Sequence, residues 1–174
     1  WCSALQDPTY FPDLGYAKIG GEETAVTGYA RVGEYLAILK QDNAQDATIF
    51  LRQAVDTGDG VSFPLRQGVS GVGSVSARSV GSVRDEPLFL SRRGIYAIIS
   101  NVITAERSVQ NRSYFIDPAL SKEKNLEDAV AVNWEGRYLL CFGDNCYVLD
   151  GNQRKAYRSQ SENDYVYECY HWNN

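Results

Sequence analysis

The sequence predicts an all-β fold built from about three copies of one four-stranded antiparallel sheet. Three similar apolar runs recur along the 174 residues, and each is followed, after a short polar connector, by a second apolar run. The runs are rich in β-branched and aromatic residues, which favour strands over helices. They are also continuous rather than alternating, which is typical of strands buried on both faces. The first runs span residues 34–39, 86–90 and 137–141, and the second runs span 48–51, 94–99 and 146–149.

The spacing of these runs defines a repeat. Glu86 lies 52 residues after Glu34, and Arg137 lies 51 residues after Glu86. A repeat of about 50 residues with several short strands is typical of a β-propeller blade. We therefore expect a single partial β-propeller domain over residues 1–174, with repeats at about 21–72, 73–123 and 124–174 and with outer or closure strands in 1–20.

Each expected blade also needs a fourth, outer strand, for which the sequence signal is weaker. The candidates are residues 61–63, 113–116 and 165–167. One helix is expected to begin at Asp117, because an Asp N-cap followed by Pro118 is a helix-start pattern. The same pattern allows this helix to extend as far as Ala129.

Three blades do not make a closed ring, since propellers close with roughly 4 to 8 blades. Three blades alone would expose two apolar sheet faces, which favours association. We therefore expect either a part of a larger propeller or a ring completed by further copies. The sequence contains no Met, not even at position 1, which favours a piece of a longer polypeptide.

The composition argues against several classes of function. The net charge is −5, so we expect no nucleic-acid partner, because nucleic-acid binders need a basic patch. No apolar run approaches the roughly 18 residues that would span a bilayer, so we expect no membrane partner. His171 is the single histidine, which argues against a multi-His metal site and a Ser/His/Asp triad. We expect no catalytic residue, no cofactor and no metal.

Acidic residues recur at about the same position of each repeat: Glu34, Asp85, Glu86 and Glu135. They are expected to lie in hairpin turns, where polar side chains keep the loop solvated. The alternative is a pair of carboxylates that hydrolyses glycosidic bonds, which requires two of them to face one cleft.

Cys141 and Cys146 form a candidate cross-strand pair. If Gly143 and Asp144 make a two-residue turn, Phe142 and Asn145 close it, and the two cysteines form the next pair along the strands. Two interpretations stay open: a disulfide in an oxidising medium, or two small buried thiols in a reducing cell.

The C-terminal run 165–172 is aromatic and would alternate as a strand. Tyr165 and Tyr167 would lie on one face, and Tyr170 and Trp172 on the other. Tyr and Trp are enriched at protein interfaces, so these four residues are the candidate interface. The alternative is a last strand that packs into its own blade.

Several segments resemble virion proteins of tailed bacteriophages. They are residues 7–13 (DPTYFPD) followed by 16–20 (YAKIG), and residues 86–91 (EPLFLS) followed by 94–98 (GIYAI). The group resembled comprises propeller-like components of the tail, tail tip or neck, including head-to-tail stabilisation proteins. The resemblance implies a non-enzymatic structural component, made in the bacterial cytoplasm and located in the virion. Its partners would be other virion proteins, the remaining blades of a parent propeller, or further copies of itself.

Two other functions fit the same repeat. The 12 Tyr and 3 Trp residues are enough to form sugar platforms, as in a carbohydrate-active or carbohydrate-binding propeller. A protein-interaction propeller of a bacterial host, unrelated to phage, is the third hypothesis.

Overall fold

A computed structural model describes residues 1, 3–4, 6–43, 45–100, 107–156 and 165–173, and it confirms an all-β fold. Within these ranges, three four-stranded antiparallel sheets follow one another along the chain. The first sheet contains β1 (Val26–Val32), β2 (Tyr35–Lys40), β3 (Ala47–Arg52) and β6 (Leu65–Ser70); a hairpin of β4 (Val55–Asp56) and β5 (Val61–Ser62) interrupts it. The middle sheet contains β7 (Gly81–Val83), β8 (Glu86–Ser91), β9 (Gly94–Ser100) and β10 (Arg107–Asn111). The third sheet contains β11 (Val130–Trp134), β12 (Arg137–Phe142), β13 (Asn145–Ala156) and β14 (Tyr165–Asn173).

The three sheets begin with the same hairpin, and its register corrects the repeat length. The pairs that close these hairpins are Val32 with Tyr35, Val83 with Glu86, and Trp134 with Arg137. Successive pairs are 51 residues apart, so Glu86 corresponds to Tyr35 and not to Glu34, as the sequence predicted. The difference of one residue matters because it reverses which face of the sheet each side chain occupies.

The middle sheet is buried on both faces, as its continuous apolar runs predicted. Leu88 and Leu90 point to the third sheet, where they share a cluster with Tyr138, whereas Phe89 points to the first sheet and packs with Leu39. Leu88, Phe89 and Leu90 are completely buried. Full burial of one such side chain stabilises a fold by about 1.5–3 kcal/mol, so this stacking is a main source of stability.

Two of the three predicted outer strands are wrong. Residues 113–116 form a turn, and the outer strand of the middle sheet is instead Arg107–Asn111. Val61–Ser62 belongs to the inserted hairpin, and the outer strand of the first sheet is Leu65–Ser70. Both true outer strands are mainly polar, because an outer strand has few apolar neighbours. The third prediction is confirmed, since residues 165–167 begin β14.

The helix that begins at Asp117 is shorter than the longest expected extent. Helix α1 spans Asp117–Leu120, and short 3₁₀ turns occupy Ala77–Ser79 and Leu126–Asp128. Asn125 adopts a left-handed conformation with φ of 60°, which prevents one continuous helix from reaching Ala129. Within the described ranges, no helix is long and apolar enough to cross a membrane.

The N-terminal segment covers part of the outer face of the first sheet. In the described part of residues 1–20, the chain has an isolated bridge between Ala4 and Asp7 and forms none of the expected strands. Ile19 packs instead against a small cluster that contains Ile38 and Phe50. The buried amine of Lys40 donates a hydrogen bond to the carbonyl oxygen of Ile19 at 2.9 Å, which anchors the segment.

Candidate functional site

The candidate site is the outer face of the third sheet, which we name the free face. Strand register places four residues in one row across it: Val132, Leu139, Val148 and Tyr170. The free face also contains one row on each side of this central row. One of them consists of Trp134, Arg137, Asp150 and Glu168. The other consists of Val130, Cys141, Cys146 and Trp172. Each row crosses all four strands, so the face is formed by the sheet and not by loops.

The free face is apolar and open. Trp134 and Trp172 are 54% and 65% exposed, and Val132 and Tyr170 are also exposed. On the opposite face of the same sheet, Tyr138 is completely buried against the middle sheet. Clusters of large exposed apolar side chains on a soluble domain mark interaction sites.

A shallow depression of about 350 Å³ lies at the centre of the free face. Its lining combines aromatic, aliphatic and polar side chains: Trp134, Arg137, Leu139, Val148, Asp150, Gln153, Tyr170 and Trp172. Two tryptophans and one tyrosine therefore surround a small polar group. Such a surface can bury another apolar side chain or receive the face of a sugar ring.

The polar group of the depression is the ion pair between Arg137 and Asp150. Arg137 Nε donates a hydrogen bond to Asp150 Oδ2 at 3.2 Å, and the guanidinium lies 5.8 Å from the Trp134 ring centroid. Burial alone would raise the pKa of Asp150, but hydrogen bonds from the backbone of Asn152 and from Arg137 outweigh it and hold the pKa below its usual value. Asp150 is therefore charged at neutral pH, and its charge is already neutralised by Arg137.

The structure divides the four residues of the candidate interface between two environments. Tyr170 and Trp172 lie on the free face, as the alternation predicted for them. Tyr165 and Tyr167 lie on the opposite face, and Tyr167 is buried against the middle sheet. The sequence pattern separated the two pairs correctly but did not show which pair faces solvent.

A buried polar cluster connects the middle and third sheets, and sequence reasoning missed it. Glu86 accepts a hydrogen bond from Arg112 Nη2 at 2.6 Å, one from the Tyr167 hydroxyl at 2.5 Å and one from the Tyr165 hydroxyl at 2.9 Å. Arg112 also donates to the carbonyl oxygen of Tyr165 at 2.8 Å. Burial would raise the pKa of Glu86, but Arg112 and the two hydroxyls hold it below its usual value of 4.5. Glu86 is therefore charged at neutral pH, and both of its carboxylate oxygens accept hydrogen bonds within the cluster.

The other recurring acids occupy hairpin turns. Glu34, Asp85 and Glu135 each lie between the first two strands of a sheet, which confirms the expected turn positions. The turn at Glu135 and Gly136 has positive φ at both residues, as a type I′ hairpin turn requires. Glu86 is the exception, because it is the first residue of β8.

The predicted pairing of Cys141 with Cys146 is confirmed. The two residues are directly opposite each other in β12 and β13, and Phe142 pairs with Asn145 at the turn. Their Sγ atoms are 2.8 Å apart. Cys169 lies on the opposite face of the sheet, and Cys2 is outside the described residues.

A second concavity, of about 710 Å³, lies where the first strands of the three sheets approach one another. Its lining includes Tyr29 of β1, Gly81 of β7 and Asn133 of β11. The three sheets therefore present their first strands to one common region. In the part of the chain that the structure describes, no group of three or more His, Cys, Asp or Glu side chains is placed to hold a metal ion.

Comparison with models of known protein families finds no match, and comparison with curated proteins finds none either.

Proposed function

We propose that this chain is a non-enzymatic structural module, a segment of a β-propeller that assembles through its sheet faces. The observation that carries the proposal is the free face. The corresponding faces of the first and middle sheets are each covered by the next sheet, whereas that of the third sheet exposes Trp134 and Trp172. A further sheet stacked on the free face would repeat the packing that already exists twice in the chain.

The convergence of the first strands supports a propeller arrangement over a simple pile of sheets. In a propeller, each blade directs its first strand toward a central channel. Here β1, β7 and β11 line one concavity, and β7 contacts both β8 of its own sheet and β11 of the next. The repeat of 51 residues at the first hairpin supports the same arrangement.

Assembly in solution tests the role of the free face. We expect the chain to form species heavier than 19.4 kDa, with the tryptophan emission shifted to the blue as Trp134 and Trp172 become buried. Trp134→Lys should return the chain to 19.4 kDa. Phe115→Lys is the matched control, because Phe115 is 62% exposed but lies outside the free face. A chain that stays monomeric at high concentration with quenchable tryptophans would contradict the proposal.

We further propose that the module belongs to the virion of a tailed bacteriophage or prophage. The resemblance of residues 7–13, 16–20, 86–91 and 94–98 to phage propeller components supports this location. Mass spectrometry of virions purified from the source strain should detect the tryptic peptide 138–154. Its absence from particles, or a gene without portal, capsid or tail genes nearby, would favour a propeller of the bacterial host.

A carbohydrate-binding role is the second candidate, because aromatic rings surround the Arg137–Asp150 pair in the depression of the free face. Binding is favoured over hydrolysis, since Glu34, Asp85 and Glu135 lie on turns rather than in one cleft. Titration with glucose and N-acetylglucosamine oligomers, followed by tryptophan fluorescence, distinguishes sugar binding from stacking of a further sheet. Saturable quenching that Arg137→Ala abolishes would support sugar binding and would argue against a stacking face.

A further inference from the structure

The cysteines of the β12–β13 hairpin are placed for chemistry that a stacking module does not require. Cys141 and Cys146 lie directly opposite each other, one pair from a two-residue turn, and their Sγ atoms are 2.8 Å apart. The pair next to the closing pair of such a hairpin lacks the ladder hydrogen bonds, and its Cα atoms are about 4.5 Å apart. A disulfide needs Cα atoms about 4.4–6.8 Å apart, so this pair is within range without moving the backbone.

The surroundings of the pair also suit a reversible bond. Both residues are partly exposed, so a small oxidant can reach them. Gly143, with φ of +56°, starts the turn in a conformation that glycine adopts without strain. Cys169 is packed against the core on the other face of the sheet, so it does not compete for either sulfur.

We infer that Cys141 and Cys146 are a disulfide-forming site on the free face, oxidised by small-molecule disulfides such as oxidised glutathione. In the first step, the thiolate of one cysteine attacks the oxidant, the S–S bond of the oxidant breaks, and one glutathione leaves. In the second step, the other cysteine loses its proton and attacks the sulfur of the first, and the second glutathione leaves. The two cysteines lose two electrons and two protons, and the oxidant becomes two glutathione molecules.

The hairpin fixes the second step whichever cysteine attacks first. Because the two sulfurs are held 2.8 Å apart, the cysteine that is still free lies beside the mixed disulfide as soon as it forms. The intramolecular step therefore needs no movement of the backbone.

Peptide mapping of the intact folded chain tests the site. Trypsin places Cys141 and Cys146 together in peptide 138–154, whereas Cys2 and Cys169 fall in other peptides. After oxidised glutathione treatment and blocking of free thiols, we expect peptide 138–154 to be unblocked and about 2 Da lighter than its dithiol form. The peptides with Cys2 and Cys169 should be blocked. The same treatment in guanidinium chloride is the control, in which this selectivity should be lost.

Several results would overturn the inference. A doubly blocked peptide 138–154 would show that the folded pair does not oxidise, and a link from either sulfur to Cys169 would show that the pairing is wrong. Two variants test the second step. In Cys146→Ser and in Cys141→Ser, the glutathione adduct should persist on the remaining cysteine, because the thiol that would displace it is missing. A variant that loses its adduct as fast as the unsubstituted chain would refute the pairing. Because the two cysteines lie on the free face, the same mapping is carried out on Trp134→Lys, in which this face stays uncovered. A doubly blocked peptide 138–154 in that variant too would overturn the inference whether or not the free face stacks on another sheet.

Discussion

Replacing Glu86 with alanine is the sharpest test of the polar cluster between the middle and third sheets. Glu86→Ala removes the carboxylate that pairs with Arg112, whose side chain is 1% exposed. It also removes the acceptor for the hydroxyls of Tyr165 and Tyr167. The variant therefore leaves the buried guanidinium of Arg112 without its main counter-charge. Keeping such a charge away from water lowers the stability of the fold by more than the loss of the attraction alone.

The expected loss follows from the burial of the pair. Removing one partner of a buried, hydrogen-bonded ion pair typically costs about 3–5 kcal/mol. For a chain of this size, about 1 kcal/mol lowers the melting temperature by roughly 2–4 °C, so the variant should melt about 6–20 °C lower. Glu86→Gln should cost less, because the amide oxygen can still accept a hydrogen bond. Glu34→Ala, at an exposed turn, should change stability by about 0.5 kcal/mol or less.

The pH dependence gives an independent check on the same residue. The folded pKa of Glu86 lies below its usual value of 4.5, so the charged form stabilises the fold above about pH 4.5 and this contribution is lost as the pH falls through the folded pKa. The stability gap between the unsubstituted chain and Glu86→Gln should therefore be constant near neutral pH and shrink in acid. Chemical denaturation at several pH values measures the gap. A gap that is independent of pH, or a Glu86→Ala variant as stable as Glu34→Ala, would refute the reasoning.

Three further substitutions and one control substitution test the packing of the sheets by thermal and chemical denaturation. Leu90→Ala, at a completely buried position of the middle sheet, should lower the free energy of unfolding by about 2–5 kcal/mol. The control Leu36→Ala, at a 44% exposed position, should lower it by less than about 1 kcal/mol. Equal losses would show that the middle sheet is not the core. Tyr138→Phe should lower the free energy of unfolding by about 1–3 kcal/mol, because the buried carbonyl oxygen of Ser79 loses the hydrogen bond that the Tyr138 hydroxyl donates at 2.5 Å. An unchanged stability would show that water replaces the hydroxyl. Gly94→Ala should lower the free energy of unfolding by at least about 1–3 kcal/mol. The φ of +138° strains alanine, and the new Cβ would also meet the carboxylate of Asp117 at the start of α1. A variant as stable as the unsubstituted chain would disprove this close approach.

The sequence predicted the buried strands well and the exposed ones poorly, for a physical reason. A strand buried on both faces must be apolar throughout, so β8 and β9 are recognisable from composition alone. An outer strand such as Arg107–Asn111 carries polar residues and resembles a loop. The register of the repeat was wrong by one residue, because an apolar run does not show where a turn closes. The position of each turn is known only from the strand register, in which Tyr35 and Glu86 close the first hairpins of the first and middle sheets.

The candidate site was predicted in part, and the missing part depends on contacts distant in sequence. Alternation along β14 separated Trp172 from Tyr167, and the turn signal at Gly143 predicted the cysteine pair. The cluster around Glu86 could not be predicted in this way, because Arg112 is 26 residues away and Tyr167 is 81 residues away. A charged residue directly before an apolar run resembles a solvated turn residue unless its partners are known.

The two ends of the stack of sheets differ, and under the proposed assembly this difference predicts the end at which a further sheet is added. At the first sheet, Ile19 already packs against Ile38 and Phe50, and the amine of Lys40 holds the covering segment. At the third sheet, no described segment covers Trp134 or Trp172 in the same way. A sheet added at the third sheet buries open apolar surface directly, whereas one added at the first sheet must displace or incorporate the N-terminal segment. Growth of the stack should therefore favour the free face, which also contains the two cysteines.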